Sequence, residues 1–495
     1  MDLPGVRAVP GTGVNTPRVL AIDVGTSAIR AAVVDEAGAV LTEHRAPRRD
    51  GEAGLGFDAD VLWRQVLATA AAAAGGHGRG VRGIGIAGHI GTVLVDRSLA
   101  PVRPGRGWAD REGVPELRAL LGPGRVAELL RDTGRPSLTG GALAALTRLR
   151  TAEPADYDRV GYALQPKDYL VARLTGAVGT DHTSAAYTGA SAVHRRDWAG
   201  EVIAAAGLRP DLFPPQRRAT DPVGTTTDAV TRQLGLPEPV PVVAGGPDGT
   251  VGAALVLGSR TDAIADVAGT TDVLVRVVER AGPAPAGAVL NPYLAGDLWT
   301  VGGATGLTGG AVAWWARLLG HPDPAEAIER LWPQLARIGP GAAGVAAGPS
   351  LSGSRFPRWQ PADRGYLRGL EAGHGPAHVL LAVLESVAYS VREGVDTLAA
   401  DEPEVSIVLA GGTARSARLA QLRADILGRE VAVCTEPDVS LKGAALLALV
   451  GTGGTPLDEQ ARVLRGPLRR CPPDPDRTRR YDDLYHQWHA SQGAA

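Results

Sequence analysis

The sequence predicts an α/β fold of two similar domains facing each other across a central cleft, each domain offering a hydroxyl-bearing turn. Three observations carry this. Residues 19–34, VLAIDVGTSAIRAAVV, read as an apolar strand, a tight turn and a second apolar strand. Residues 264–277, IADVAGTTDVLVRV, repeat the pattern, and Asp266 lies 243 positions after Asp23, about half the chain. Such a spacing argues for duplication, although short Gly-Thr segments also recur by chance in a chain with 66 glycines. Finally, residues 240–258 and 406–427 each read as strand, glycine turn and helix.

Taken in order, residues 1–17 read as a disordered lead-in, and residues 61–74 as a helix after the first hairpin. A strand over 81–87 follows, with 92–96 expected as its hairpin partner. Residues 101–112, PVRPGRGWADRE, form a Pro/Gly-rich loop carrying Trp108, Asp110 and Arg111. Helices are expected at 142–151 and around Pro166-Lys167-Asp168-Tyr169-Leu170, the latter closed by Gly176. Residues 240–244 are a strand, Gly245-Gly246-Pro247 a turn, and Asp248 opens a helix. The domain boundary is expected after it, giving an N-terminal domain over 18–258 and a C-terminal domain over 259–452. The second half contains helices at 309–319, 378–398 and 417–427, a strand at 406–410 and a last apolar helix at 442–450. The tail, 453–495, is proline- and charge-rich with a short surface helix at 481–489.

At 495 residues the chain is long enough for two or three domains, each with its own core. A formal charge of −2 gives no basic excess for nucleic acid or an anionic membrane. Cys434 and Cys471 build neither a metal cluster nor a disulfide framework, which fits a reducing cytoplasm. The first seventeen residues hold prolines and glycines where a signal peptide needs an apolar core, and no apolar run reaches spanning length. No Walker-type loop, H-E-x-x-H or G-x-S-x-G occurs, and Gly78-x-Gly80-x-x-Gly83 precedes a strand where a dinucleotide fingerprint must follow one.

What remains is a set of Gly/Thr turns at strand ends with a few carboxylates, the inventory that phosphoryl transfer needs. Gly25 permits a turn that aims backbone N–H groups and the Thr26 and Ser27 hydroxyls at a phosphate oxygen; a plain hairpin with a polar tip is the other reading. Asp23, ending a buried strand, is placed to hold a hydrated Mg²⁺. Asp248 sits in the first turn of a helix, where the dipole is expected to keep it ionised as a base or Mg²⁺ ligand; it also reads as a helix cap. Gly411-Gly412-Thr413 can admit an adenine or ribose. Trp108 and Asp110 can form a sugar pocket, or Trp108 can be a packing anchor. His89 reads as a loop residue after a strand.

In this order and spacing, several segments together resemble the FGGY carbohydrate kinases of the actin/hexokinase/Hsp70-like superfamily. They are Asp23-Val24-Gly25-Thr26-Ser27 with Arg30, Trp108-Ala109-Asp110-Arg111, Pro166-Lys167-Asp168, Gly245-Gly246-Pro247-Asp248, Gly269-Thr270-Thr271 and Gly411-Gly412-Thr413-Ala414-Arg415. Residues 352–370 look most like the xylulokinase branch. The resemblance implies two ribonuclease-H-like domains acting on ATP, Mg²⁺ and an open-chain sugar, alditol or sugar acid. It implies that Asp248 is the catalytic base and that Asp23 and Asp248 attend the metal. Gly25, Thr26, Ser27, Arg30, Gly269, Thr270 and Thr271 would then meet the phosphates, and Gly309, Gly310, Gly411, Gly412 and Arg415 the nucleotide. His89, Trp108, Asp110 and Asp248 would face the sugar. It implies neither nucleic-acid nor membrane partners and leaves a homodimer open. Two departures touch the pocket: His89-Ile90 where the branch carries Met-His, and Glu112 where the family's loop carries arginine. Rival readings are a kinase for another polyol, sugar acid or cyclitol, and a non-catalytic nucleotide-dependent clamp.

Overall fold

The computed structural model describes residues 16–492 apart from residues 53, 401 and 403, so the expected lead-in lies, except for its last two residues, outside the described residues. Leu20, Ile22, Ile29, Ala31 and Val33 are fully buried and draw the first hairpin into a core. They lie on β1 (Arg18–Val24) and β2 (Ala28–Asp35), an antiparallel pair that continues into β3 (Val40–Pro47). On its other side β1 pairs parallel with β4 (Val81–Gly88), which pairs parallel with β5 (Pro241–Val243). An antiparallel strand, Pro222–Thr225, closes that edge. Helix α1 (Ala59–Ala74) begins on an Asp58 cap and covers the sheet through Leu62, Trp63 and Val66. Gly246–Pro247 joins β4 beside β5, and α2 (Asp248–Leu257) starts immediately after.

The chain divides into two compact units. The first takes in the chain up to Ser259, Leu290–Trp299 and Asp438–Arg465; the second takes in Arg260–Val289, Thr300–Pro437 and the chain from Gly466 onward. Residues 438–465, expected in the second domain and the tail, therefore pack in the first unit. The reason is local. Helix Val439–Gly453 is apolar almost all round and lies directly on β4, where a Cβ on Gly85 would sit 2.0 Å from the Ala444 carbonyl oxygen.

The second unit repeats the first. Its β6 (Ala263–Ala268) pairs antiparallel with β7 (Asp272–Val278), which neighbours β8 (Trp299–Ala304). On the other side β6 pairs parallel with β9 (Ser406–Gly411), and β9 with β10 (Val431–Cys434), before an antiparallel strand, Leu468–Cys471, ends the sheet. By register the first hairpin leaves four residues, 25–28, between the paired Val24 and Ile29, and the second leaves three, 269–271, between Ala268 and Asp272. Strand order thus agrees between the units, which is what duplication predicts. Helices α3 (Thr308–Leu318), α4 (Pro376–Leu398) and α5 (Ala417–Leu427) surround the second sheet.

Two expectations need correction. Residues 92–96 do not return beside β4: Gly91–Val95 pairs with Gly105–Gly107 and Tyr162–Leu164 in a separate sheet, because β1 and Gly246–Pro247 already occupy both edges of β4 near its end. The short surface helix is longer than expected, α6 (Pro475–Ser491), and although most of it is exposed it sends one face into the core. Tyr481, Tyr485 and Trp488 pack against Tyr389 of α4, and the Tyr481 hydroxyl donates to buried Glu385 at 3.1 Å. Tyr481→Ala is expected to destabilise the second unit by about 3–5 kcal/mol, and Tyr481→Phe by only about 1 kcal/mol, in chemical denaturation. Among the described residues no helix is long and apolar enough to cross a membrane.

Candidate active site

In the first unit the strand ends converge in a single row. Val24 of β1 registers with Gly88 of β4, and Gly88 with Pro247, so the residues that follow leave the sheet side by side. His89 donates its backbone N–H to the Val24 carbonyl at 3.0 Å, and Asp248 begins α2 at the next strand end. Asp23 precedes Val24 and is buried; beyond it, Thr26 and Ser27 are exposed at the turn. Lys167, fully buried, underlies this row. Its ammonium pairs with Asp168, with Asp181 at 2.9 Å and with the Ala244 carbonyl at 2.9 Å. The Pro166-Lys167-Asp168 motif therefore braces the strand ends from within.

Burial raises the pKa of Asp23 to about 6; the Arg30 guanidinium opposes this, and the nearby Asp248 carboxylate adds to it. Arg30, expected on a phosphate, is ion-paired with both Asp23 and Asp438. The helix dipole does not settle the charge of Asp248. Its Oδ1 accepts from the Gly249 N–H at 2.7 Å, but desolvation is the larger influence and moves its pKa upward. Asp248 as a residue is nonetheless partly accessible.

The acceptor-side candidates occupy different depths. His89 is 3 % exposed, with Nδ1 3.1 Å from the Ile90 carbonyl and the ring edge-on to Phe57. Burial and the Arg48 charge lower its pKa to about 4, so the ring is neutral, and its buried Nε2 has no hydrogen-bond partner among the described residues. Trp108 and Asp110 are half-buried in the loop before helix Val114–Asp132, with Gly54 against the Trp108 ring. Asp110 Oδ1 accepts from the Glu112 N–H at 3.0 Å. Glu112 does not leave the loop without a cation: it binds Arg106 at 2.6 Å and Arg148 at 2.7 Å, and Arg106 Nε lies 3.8 Å from Asp110.

The second turn is built differently. Asp266 stands two residues before Ala268-Gly269, whereas one residue separates Asp23 from Gly25, so it occupies the opposite strand phase. There it is fully buried and bound by Arg423 at 2.5 Å, while Arg423 also holds Asp272 at 2.9 Å. The 269–271 turn rests on the start of α3. Gly310 donates its N–H to the Thr270 carbonyl at 2.9 Å, and the Thr308 hydroxyl accepts from the Asp272 N–H at 2.7 Å. A Cβ on Gly309 would lie 2.1 Å from the Gly269 carbonyl oxygen. Beside this turn a cavity of about 440 Å³ is lined by Gly269, Gly309, Gly412 and Arg415, with Ile328 and Leu384 on its apolar walls. Its size and mixed lining suit a heteroaromatic group with a polar tail. Gly310 and Gly411, also expected on the nucleotide, are not among the residues that line it, and the Arg415 guanidinium donates to the Pro437 carbonyl at 2.6 Å. Gly309→Ala is expected to raise the KM for nucleotide by about tenfold or more with the KM for sugar unchanged, read from steady-state kinetics, because the turn must shift to admit the methyl group.

The residues fit a hard divalent cation. Asp23 Oδ1 is buried without a hydrogen-bond partner, and a second carboxylate, Asp248, is close enough to perturb it. Two neighbouring carboxylates and an unpartnered oxygen are the donors that Mg²⁺ shares with water and phosphate oxygens. Asp438 joins this group through Arg30, 408 positions away in sequence, and no local signal points to it.

Comparisons with known proteins agree with this arrangement. The FGGY family of carbohydrate kinases, N-terminal domain, matches residues 18–255, and its C-terminal domain matches residues 265–452. A xylulose kinase of Klebsiella pneumoniae is 32 % identical over 442 residues, covering 87 % of this chain and 89 % of that protein. Two solved structures share the fold. A xylulose kinase from Rhodospirillum rubrum has a TM-score of 0.85 at 24 % identity, covering 96 % of this chain and 98 % of its own. A gluconate kinase from Lactobacillus acidophilus has a TM-score of 0.87 at 20 % identity, covering 97 % and 98 %. With duplicated sheets, paired turns and both family domains in sequence order, the chain belongs to the FGGY family of carbohydrate kinases and is a sugar phosphotransferase.

Proposed function

We propose that this kinase transfers the γ-phosphoryl group of ATP to a primary hydroxyl of an open-chain ketopentose such as xylulose. The observation that carries the reading is the row of strand ends that gathers Asp23, His89 and Asp248 at one end of the first sheet. Asp248 accepts the proton of the attacking hydroxyl, and its raised pKa makes it a stronger base than an exposed aspartate. The 25–27 turn presents N–H and hydroxyl groups to a phosphate, and in the second unit the cavity beside Gly309 and Gly412 takes the nucleoside. Asp23 and Asp248 would hold Mg²⁺, which when bound neutralises charge on the phosphates. His89, neutral and with Nε2 free, accepts a hydrogen bond from a sugar hydroxyl, while Trp108 and Asp110 bound the sugar.

The acceptor class follows the curated relative at 32 % identity, a xylulose kinase. A second reading, a sugar-acid or other polyol acceptor, is favoured by one observation: Arg106 and Arg148 crowd the loop that carries Asp110. An ADP-release assay over ketopentoses, alditols, cyclitols and aldonates decides between them. Xylulose giving the highest kcat/KM supports the proposal; an aldonate doing so replaces the acceptor. ATP turnover stimulated by none of these compounds overturns the acceptor proposal altogether.

A further inference from the structure

The two phosphate turns need different support. The 269–271 turn leans on a helix start, whereas the exposed 25–27 turn is held from one side by the segment that follows β3. Arg48 meets it twice. Its backbone N–H donates to the Ser27 carbonyl at 3.1 Å, and its guanidinium Nη1 donates to the Gly25 carbonyl at 3.2 Å. The turn's carbonyls are thereby drawn inward, leaving the Thr26 and Ser27 hydroxyls at the surface. The guanidinium is itself locked. Nε donates to Asp50 Oδ1 at 2.8 Å and Nη2 pairs with Asp50 Oδ2; the two side chains are 2 % and 0 % exposed. The Asp50 carbonyl accepts from the Asp58 N–H at 2.7 Å, which ties the pair to the start of α1. Arg48 also lies 5.4 Å from the centroid of the Phe57 ring, the ring that packs edge-on against His89.

We infer that Arg48, locked by Asp50, is a positioning residue that holds the 25–27 turn in its phosphate-binding shape and keys it to His89 on the acceptor side. This rests on the proposed phosphate role of that turn. A buried ion pair is a weak source of stability but a precise geometric one, since a planar guanidinium fixes several acceptors in one plane. Lysine at this position keeps the charge beside Asp50 but cannot reach Asp50 and the Gly25 carbonyl with the same planar fork.

The test uses the full-length Arg48→Lys variant, with Arg48→Met/Asp50→Leu as a second variant that leaves no charge buried alone. Two readouts are taken: amide hydrogen exchange at residues 26–28, and sugar-dependent ADP release. The expected result in both variants is exchange faster by about tenfold or more at the turn. With it, kcat should fall by about 10- to 100-fold while the KM for sugar stays within about threefold. A merely structural role would move the melting temperature without this split. Unchanged exchange overturns the inference, and so does faster exchange with kcat intact. Wild-type protein that releases ADP with no sugar would sink the acceptor proposal instead, and the exchange result would still decide whether Arg48 holds the turn.

Discussion

Asp248→Asn is expected to lower kcat by about 10²- to 10⁴-fold while nucleotide affinity, measured by calorimetry, stays within about threefold. The amide is isosteric and can still accept the Gly249 N–H, so α2 should keep its first turn. What disappears is the lone pair that takes the hydroxyl proton. In a loose phosphoryl-transfer transition state the base contributes less than positioning does, which sets the range well below total loss. The pH profile supplies the matching check. As the proposed base Asp248 would act ionised, and burial raises its pKa, so kcat/KM should be full above that value and fall as pH drops through it. The acid limb is therefore expected above the range of an ordinary aspartate. Because Asp23, at about 6, lies close enough to interact with it, the limb belongs to the pair. A variant at position 248 with full turnover would remove Asp248 from the mechanism.

Asp23→Asn is expected to raise the Mg²⁺ concentration needed for half-maximal rate and to lower kcat by about 10²-fold or more. The substitution removes one of two neighbouring carboxylates yet leaves Arg30 its pairing with Asp438, so no buried cation is stranded. The fold should survive, and a melting temperature close to wild type separates loss of chemistry from loss of structure. Equal Mg²⁺ dependence in the variant and wild type would show that Asp23 does not attend the metal.

Much of this fold was readable before any coordinates. The two Gly-Thr turns stand out as turns because a glycine between two apolar runs breaks the strand there. Helix 417–427 and the start of α2 at Asp248 follow from local signals, a Ser416 cap in one case and Gly-Gly-Pro in the other. The repeat itself was legible, but that Asp266 is not the counterpart of Asp23 was not. One extra residue before Gly269 reverses the strand phase, and whether the displaced carboxylate finds a partner depends on Arg423, 157 positions away.

What the chain determined alone was what lies within a few residues: strands from apolar runs, turns from glycine, helix starts from caps. What only the tertiary structure decided was which of these meet. Strand 91–95 left β4 because both edges there were taken, helix 439–453 settled on the first unit because Gly85 admits its backbone, and one face of α6 was buried because Tyr389 offered its aromatic residues a surface. Arg30 was claimed by Asp23 and Asp438, and Asp248 was moved off its ordinary pKa by surroundings that the helix dipole does not outweigh. Edge occupancy, close backbone approach and desolvation all depend on atoms distant in sequence, and a local pattern carries no information about them.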